Sequence, residues 1–260
     1  MPPVPWVLDL DGVVWLGEQP IPGAAEAVAR LRAAGERVLF ATNNSSVTIA
    51  DQEAKLAGMG IPAGGSVVTS AQAGARLVEP GERVLVCGGP GVDEALAGRG
   101  AVVFDSRSWE LGVDGPVDVV IVGFHRHFDY EGMRRAAAAI NGGARFVATN
   151  DDPTYPTPEG LIPGGGAIAA GIAAASRQPI VAGKPHLPMA ELIHDLTGEA
   201  DGIIVGDRPD TDGAFAKTLG YRFGLVLTGV TAAADLPVTP APDVVAPSLA
   251  ALVTTVVDRQ

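Results

Sequence analysis

Strand-like apolar runs alternate with helix-like ones along this chain, and that alternation limits the possible folds more than any other feature. "WVLDL" is followed by "AAEAVARLRAAG" and "RVLFAT" by "IADQEAKLAGMG"; near the end, "GIIVGD", "DGAFAKTLG" and "FGLVLTG" repeat the order. Such βα units build a parallel sheet with helices on its faces. The strand runs are continuously apolar, as strands covered on both faces are. Gly35, Gly60 and Gly220 stand where the helices should stop and can supply left-handed caps. The expected fold class is α/β, with a Rossmann-like parallel sheet as its core.

The middle of the chain carries βα units of its own. "RVLVCGG" precedes "VDEALAGRG", "VDVVIVGF" precedes "YEGMRRAAAAINGG", and "RFVATN" closes the series. Pro80-Gly81 and "SRQP" look like crossing points, so residues 80–177 are expected to form an inserted second α/β domain, with residues 1–79 and 178–260 as one discontinuous core. A single continuous sheet is the alternative. Two glycine-rich stretches invite a phosphate-cradle reading. "CGGPGVDEAL" lacks the G-x-G-x-x-G spacing of a dinucleotide turn, and "PGGGAIAAG" reads as a tight turn with close helix packing.

Charge narrows the partners. With 30 acidic against 18 basic residues the net charge is -12, which argues against nucleic acid or an anionic membrane as a partner. Cys87 is the single cysteine, so an intrachain disulfide and a cysteine-built zinc site are excluded, and a buried, inert thiol is expected. The first residues lack the basic and long apolar regions of a signal peptide. No run reaches the roughly 18 apolar residues of a membrane span. The expected location is cytoplasmic.

Ligands of open α/β sheets gather beyond the carboxyl ends of the strands. There the chain places Asp9 and Asp11 after the first run, Thr42 and Asn43 after the second, and Asp207 after "GIIVG"; Lys184 in "VAGKP" follows the apolar pair Ile180 and Val181. Side chains two apart on a strand share a face, so Asp9 and Asp11 can address one centre while Gly12 lets the backbone turn. Crowded carboxylates repel, and a hard cation such as Mg2+ is the simplest compensation. A hydroxyl and an ammonium beside them suit an anionic group. The combination favours phosphoryl transfer, in which a carboxylate can attack phosphorus and split one displacement into two.

"DLDGVVW", "FATNNSS", "AGKP" and "GDRPDTD", in that order, resemble the four motifs of the haloacid dehalogenase superfamily. "PGAAEAVARLRAAG", "KLAGMGI" and "VATNDDPTYPTPEGLIPGGG" are similar to its 4-nitrophenylphosphatase or NagD-type branch, which carries a large C2-type α/β cap. The resemblance implies a Mg2+-dependent phosphatase that hydrolyses small phosphomonoesters through an aspartyl-phosphate. Asp9 would be the nucleophile. Asp11 would protonate the leaving oxygen and then activate water, whereas the dehalogenase members lack an acid there because a halide needs no proton. Thr42 would bind the phosphoryl group with Asn43 beside it, and Lys184 would bridge nucleophile and phosphate. Asp207 would bind the metal with the Asp9 carboxylate and the Asp11 main-chain carbonyl, with Asp212 in the outer shell. Asn150, Asp152 and Tyr155 would close over the leaving group, Tyr155 either as an aromatic wall for the substrate or as packing for its loop.

Asp210 reads as a solvated bystander. His125 and His127 have H-x-H spacing but no third ligand nearby in sequence, and the family commonly has aspartate where His125 stands. The partner implied is a small phosphate ester, and an exposed cap sheet could pair two copies as a homodimer. A phosphotransferase or mutase, and a catalytically quiet phospho-metabolite-binding protein, are the rival readings.

Overall fold

The computed structural model describes residues 4–157 and 160–257. By Cα proximity the chain divides into two compact units, one of residues 1–42, 50–68 and 184–260 and one of residues 43–49 and 69–183. Residues 69–79 and 178–183, assigned with the core from the sequence, cluster with the second unit, as does the short segment 43–49.

The first unit is built on a six-stranded sheet ordered Val244–Ala246, Arg222–Val226, Ile203–Gly206, Pro5–Leu8, Arg37–Thr42, Val67–Thr69. The five strands from Val244–Ala246 to Arg37–Thr42 pair in parallel. Pro5–Leu8 lies inside the sheet and is buried along its whole length, which is why it is apolar throughout rather than alternating. Pro5 is tolerated as the first residue of the strand, where its missing N–H costs least. From this strand the chain leaves toward Arg37–Thr42 on one side, and Ile203–Gly206 returns on the other. That divergence opens the crevice in which α/β sheets hold ligands.

Helix Ala24–Ala33 buries Ala24, Ala27, Val28 and Leu31, the i, i+3, i+4, i+7 stripe of an amphipathic helix. "DGAFAKTLG" differs from the expected helix at its start. Pro209–Gly213 is a π-helical turn, and the α-helix begins only at Ala214. Wide turns of this kind re-aim side chains and recur at functional sites; this one carries Asp212.

The second unit has its own five-stranded sheet, ordered Ile180–Val181, Arg145–Ala148, Val119–Val122, Arg83–Cys87, Val102–Asp105, and every pairing in it is parallel. Two separate sheets replace the alternative of a single continuous one. The pair Ile180 and Val181, which precedes Lys184, belongs to this second sheet. Its core packs Leu85, Val120, Val122, Ile140, Phe146 and Ile172. Helix Tyr130–Asn141 is capped by Asp129, whose side chain accepts from the Gly132 N–H at 2.7 Å.

The glycines of "CGGPG" have a structural use. A Cβ on Gly89 or Gly91 would overlap the carbonyl oxygens of Ser46 and Val47, so the helix start at Pro90 is closed by backbone of segment 43–49 and is no phosphate cradle. "PGGGAIAAG" likewise packs against the carbonyls of Asp151 and Asp152. Among the described residues no helix is long and apolar enough to cross a membrane. Cys87 is buried and free, and burial pushes its thiol up to about 11.

Candidate active site

Six of the residues expected at the site lie in the first unit: Asp9, Asp11, Thr42, Lys184, Asp207 and Asp212. The parallel register sets Leu8 beside Phe40 on one side and Val205 on the other. Asp9, Thr42 and Asp207 therefore leave neighbouring strands at nearly the same level. Asp9 begins beyond its strand with its N–H donating to the Val205 carbonyl at 2.8 Å.

Lys184 joins the acids. Its Nζ lies 2.9 Å from Asp9 Oδ1 and 2.7 Å from Asp212 Oδ1, and its side chain is 3% exposed. Asp212 accepts on Oδ2 from the Arg208 N–H at 3.2 Å, a bond made possible by the π-helical turn. Ligand oxygens of Asp9, Asp207 and Asp212 all lie within 4.8 Å of one another, the one cluster of this kind among the described residues. The Asp11 carboxylate is outside it, accepting from the Trp15 indole at 3.0 Å. Thr42 is buried at the end of its strand. Asp210 stands away from the cluster, mostly exposed and paired with Arg208.

Glycine makes this crowding possible. Gly12 has φ +79°, and a Cβ there would sit 2.5 Å from the Asp207 carboxylate; a Cβ on Gly229 would overlap the same group. The loop after "GLVLTG" supplies contacts that the sequence reading missed. The Val230 N–H donates to Asp207 Oδ2, Thr231 Oγ1 donates to the Asp207 carbonyl, and Thr228 Oγ1 to the Gly12 carbonyl. The signal was present as small and hydroxyl residues, Thr228, Gly229 and Thr231, just past a buried strand end, the place where such sheets hold ligands.

The electrostatics show a site with too much negative charge. Burial, opposed by Lys184 and reinforced by Asp212, Asp207 and Asp11, raises Asp9 well above the usual carboxylate range. Burial and the adjacent Asp212 push Asp207 up to about 6, against the Val230 N–H. Burial also raises Asp11, and the Trp15 hydrogen bond works against it. Burial disfavours the charge on Lys184, but Asp212 and Asp9 outweigh it and its pKa is raised. One ammonium cannot neutralise three buried carboxylates, so the cluster is built for a further cation.

The other four expected residues lie in the second unit, where three of them form a hydrogen-bonded group. Asn43 Nδ2 donates to Asp152 Oδ2 at 2.8 Å, Asn150 Nδ2 donates to the Asn43 carbonyl at 2.8 Å, and the Asp152 N–H donates to Asn150 Oδ1 at 3.2 Å. Tyr155 receives a long bond from Asn44 at 3.4 Å and stacks on Phe124 with ring centroids 5.0 Å apart. His125 and His127 line a separate cavity of about 460 Å³ with Arg107, Arg126 and Asp105. The H-x-H pair joins no metal-binding cluster among the described residues.

The family model for haloacid dehalogenase-like hydrolases matches residues 6–102, and a second model for HAD-like hydrolases matches residues 181–252. An acid sugar phosphatase of Staphylococcus saprophyticus is 35% identical over 87% of this chain and 87% of its own. The chain belongs to the haloacid dehalogenase-like hydrolases. Within this family it is a phosphatase of the 4-nitrophenylphosphatase or NagD-type branch. The 4-nitrophenylphosphatase of Thermotoga maritima superposes with a TM-score of 0.87 at 31% identity, covering 97% of each chain. A D-glycerol 3-phosphate phosphatase of Mycobacterium tuberculosis is 40% identical over 88% of this hydrolase, which spans 64% of that relative's length. The structure of a glycerol phosphate phosphatase from the same organism, in complex with magnesium, has a TM-score of 0.85 at 35% identity, over 95% of this chain and 75% of that one.

Proposed function

We propose that this hydrolase is a Mg2+-dependent phosphatase of small, soluble phosphomonoesters that works through a phosphorylated Asp9. The observation that carries the reading is Lys184, held between Asp9 and Asp212 beside a third buried acid. The Asp9 carboxylate attacks phosphorus, the P–O bond to the leaving alcohol breaks, and the alcohol oxygen takes its proton from Asp11. Water then attacks the acyl phosphate and gives its proton to Asp11, releasing phosphate and restoring Asp9. Lys184 holds Asp9 in place and offsets negative charge on the phosphoryl oxygens, with the Thr42 hydroxyl as a further donor.

The donor set is all oxygen and suits a hard divalent cation. Asp9, Asp207 and the Asp11 main-chain carbonyl would hold Mg2+. Asp212, whose two oxygens already accept from Lys184 and Arg208, would orient the site from outside. Bound there, the cation supplies positive charge for the acids and the phosphoryl oxygens.

The hydrogen-bonded group Asn43, Asn150 and Asp152, and Tyr155 stacked on Phe124, support a role for the second unit, as a cap domain, in recognising the leaving group. The activities for which the relatives are named, glycerol phosphate and acid sugar phosphatases, favour polyol and sugar phosphates; nucleotides and pyridoxal phosphate belong in the same panel. Nucleic acid and membranes are not partners in this reading, and the cytoplasm is its compartment. Pairing of two copies through the second unit is supported by its edge strand Val102–Asp105, on which Val102 is 46% exposed.

Phosphate release across such a panel, with Mg2+ and after chelation, tests the proposal. Release is expected from at least one small ester, to be lost on chelation and restored by Mg2+. Undiminished activity after chelation would remove the cation, and phosphate recovered on an added acceptor alcohol would make the protein a phosphotransferase. Ligand binding with no turnover on any ester would leave it a binding protein.

Stability should show the same linkage. Asp207 titrates near 6 in the fold against 3.8 ordinarily. An acid with a raised folded pKa adds stability below its ordinary pKa and loses it as pH rises through the folded value. The metal-free protein should therefore lose Tm from about pH 4 to pH 7, and Mg2+ should raise Tm more at pH 8 than at pH 5. A Mg2+ shift as large at pH 5 as at pH 8 in calorimetric scans would count against these carboxylates as its ligands.

A further inference from the structure

Asp11 is aimed by a neighbour that the mechanism above does not use. The Trp15 indole Nε1 donates to Asp11 Oδ1 at 3.0 Å, and the indole is 2% exposed. The intervening loop fixes both ends: the Gly12 N–H donates to the Trp15 carbonyl at 2.7 Å, and the Trp15 N–H to the Leu10 carbonyl at 3.2 Å. Lys55 Nζ stands 4.4 Å from the centre of the Trp15 ring. It is held there by the Gly17 carbonyl at 2.8 Å and Glu18 Oε1 at 3.2 Å. A cation over an aromatic face draws on its π density, which makes the indole N–H a better donor. Lys55 and Lys184 act on the Asp11 carboxylate as charges through space, and among the described residues Asp11 forms no direct ion pair, so the indole makes the directional contact.

We propose that Trp15 is a positioning residue for proton transfer: its N–H occupies Oδ1 of Asp11 and so presents Oδ2 as the oxygen that protonates the leaving alcohol. When the P–O bond breaks, the alcohol oxygen takes the proton from Oδ2. Asp11 is left as a carboxylate whose charge the indole hydrogen bond shares. The proposal rests on the reading of Asp11 as general acid and adds a dependence on the leaving group. An alkoxide must be protonated as it departs, whereas a dinitrophenolate leaves without a proton.

The test compares kcat/KM, which reports steps only through departure of the leaving group, for the best alkyl phosphate of the panel and for 2,4-dinitrophenyl phosphate. In Trp15→Phe the alkyl ester should lose about tenfold or more, and the dinitrophenyl ester less than about twofold. Equal losses on both esters would mean that Trp15 only holds the site together and would overturn the proposal, as would no loss on either. Should the phenylalanine variant fail to fold, replacing the indole by a benzothiophene keeps its shape without the N–H, and the same split is expected. A wild-type protein inactive on both esters would sink the phosphatase reading itself, a result distinguishable from an active wild type with an unchanged ratio.

Discussion

Asp9→Asn should reduce kcat by at least about a thousandfold on every ester that the wild type hydrolyses, because the amide cannot displace the leaving group and no other carboxylate takes its place. The fold should not suffer. Asp9 is held well above its usual pKa chiefly by burial, with Asp212, Asp207 and Asp11 adding to it, so its charge is a net cost to the folded state at neutral pH. The amide removes that cost, and the variant should melt at or above the wild-type temperature. It should also keep Mg2+-dependent binding of inorganic phosphate. Turnover near the wild-type rate in a correctly folded Asp9→Asn would remove the nucleophile from the mechanism.

Lys184→Met should affect both activity and stability. The methionine replaces most of the stem and none of the charge, leaving Asp9 and Asp212 facing each other without the ammonium 2.9 and 2.7 Å from them. Breaking a buried pair by removing one partner typically costs about 3–5 kcal/mol, since the remaining charge is uncompensated. Without metal at pH 8 the variant should lose stability on that scale in urea unfolding. The sign of the pH dependence follows from the acids. Loss of Lys184 removes the charge that opposes the raised folded pKa of Asp9, and a group so raised stabilises at low pH and loses that contribution as pH rises. The deficit should therefore shrink toward pH 5. An equal deficit at pH 5 and pH 8 would show that Lys184 acts through packing and not charge. Turnover should fall about a thousandfold or more at either pH, through loss of the group that orients the nucleophile and offsets the phosphoryl charge.

Much of the site was legible because chemistry and topology constrain it jointly. In a parallel sheet the polar residues that end the strands lie on one rim, so Asp9, Thr42 and Asp207 could be placed together from their positions after apolar runs. Asp212 was less accessible to such reasoning. Helical spacing gives no reason to aim it at Lys184, and its direction comes from the π-helical turn Pro209–Gly213. The run "FGLVLTG" reads only as a strand and its end, because backbone donors such as the Val230 N–H just beyond it leave no mark in side-chain chemistry. Trp15, within the first motif, carries no role by sequence alone, since a buried indole in an apolar run ordinarily reads as core.

Taken alone, the order of residues determined the α/β class, the parallel core, the two sets of βα units and which acids, hydroxyl and ammonium stand at strand ends, because periodicity and strand-end polarity are local properties of the chain. Only the tertiary structure decided that the strand before Lys184 belongs to the second sheet, that segment 43–49 clusters with the second unit, and that Asp11 turns to Trp15 while Asp9, Asp207 and Asp212 crowd together. Those outcomes depend on which strands pair and on how closely glycine backbones approach carboxylates, and such long-range contacts leave no periodic trace in the sequence.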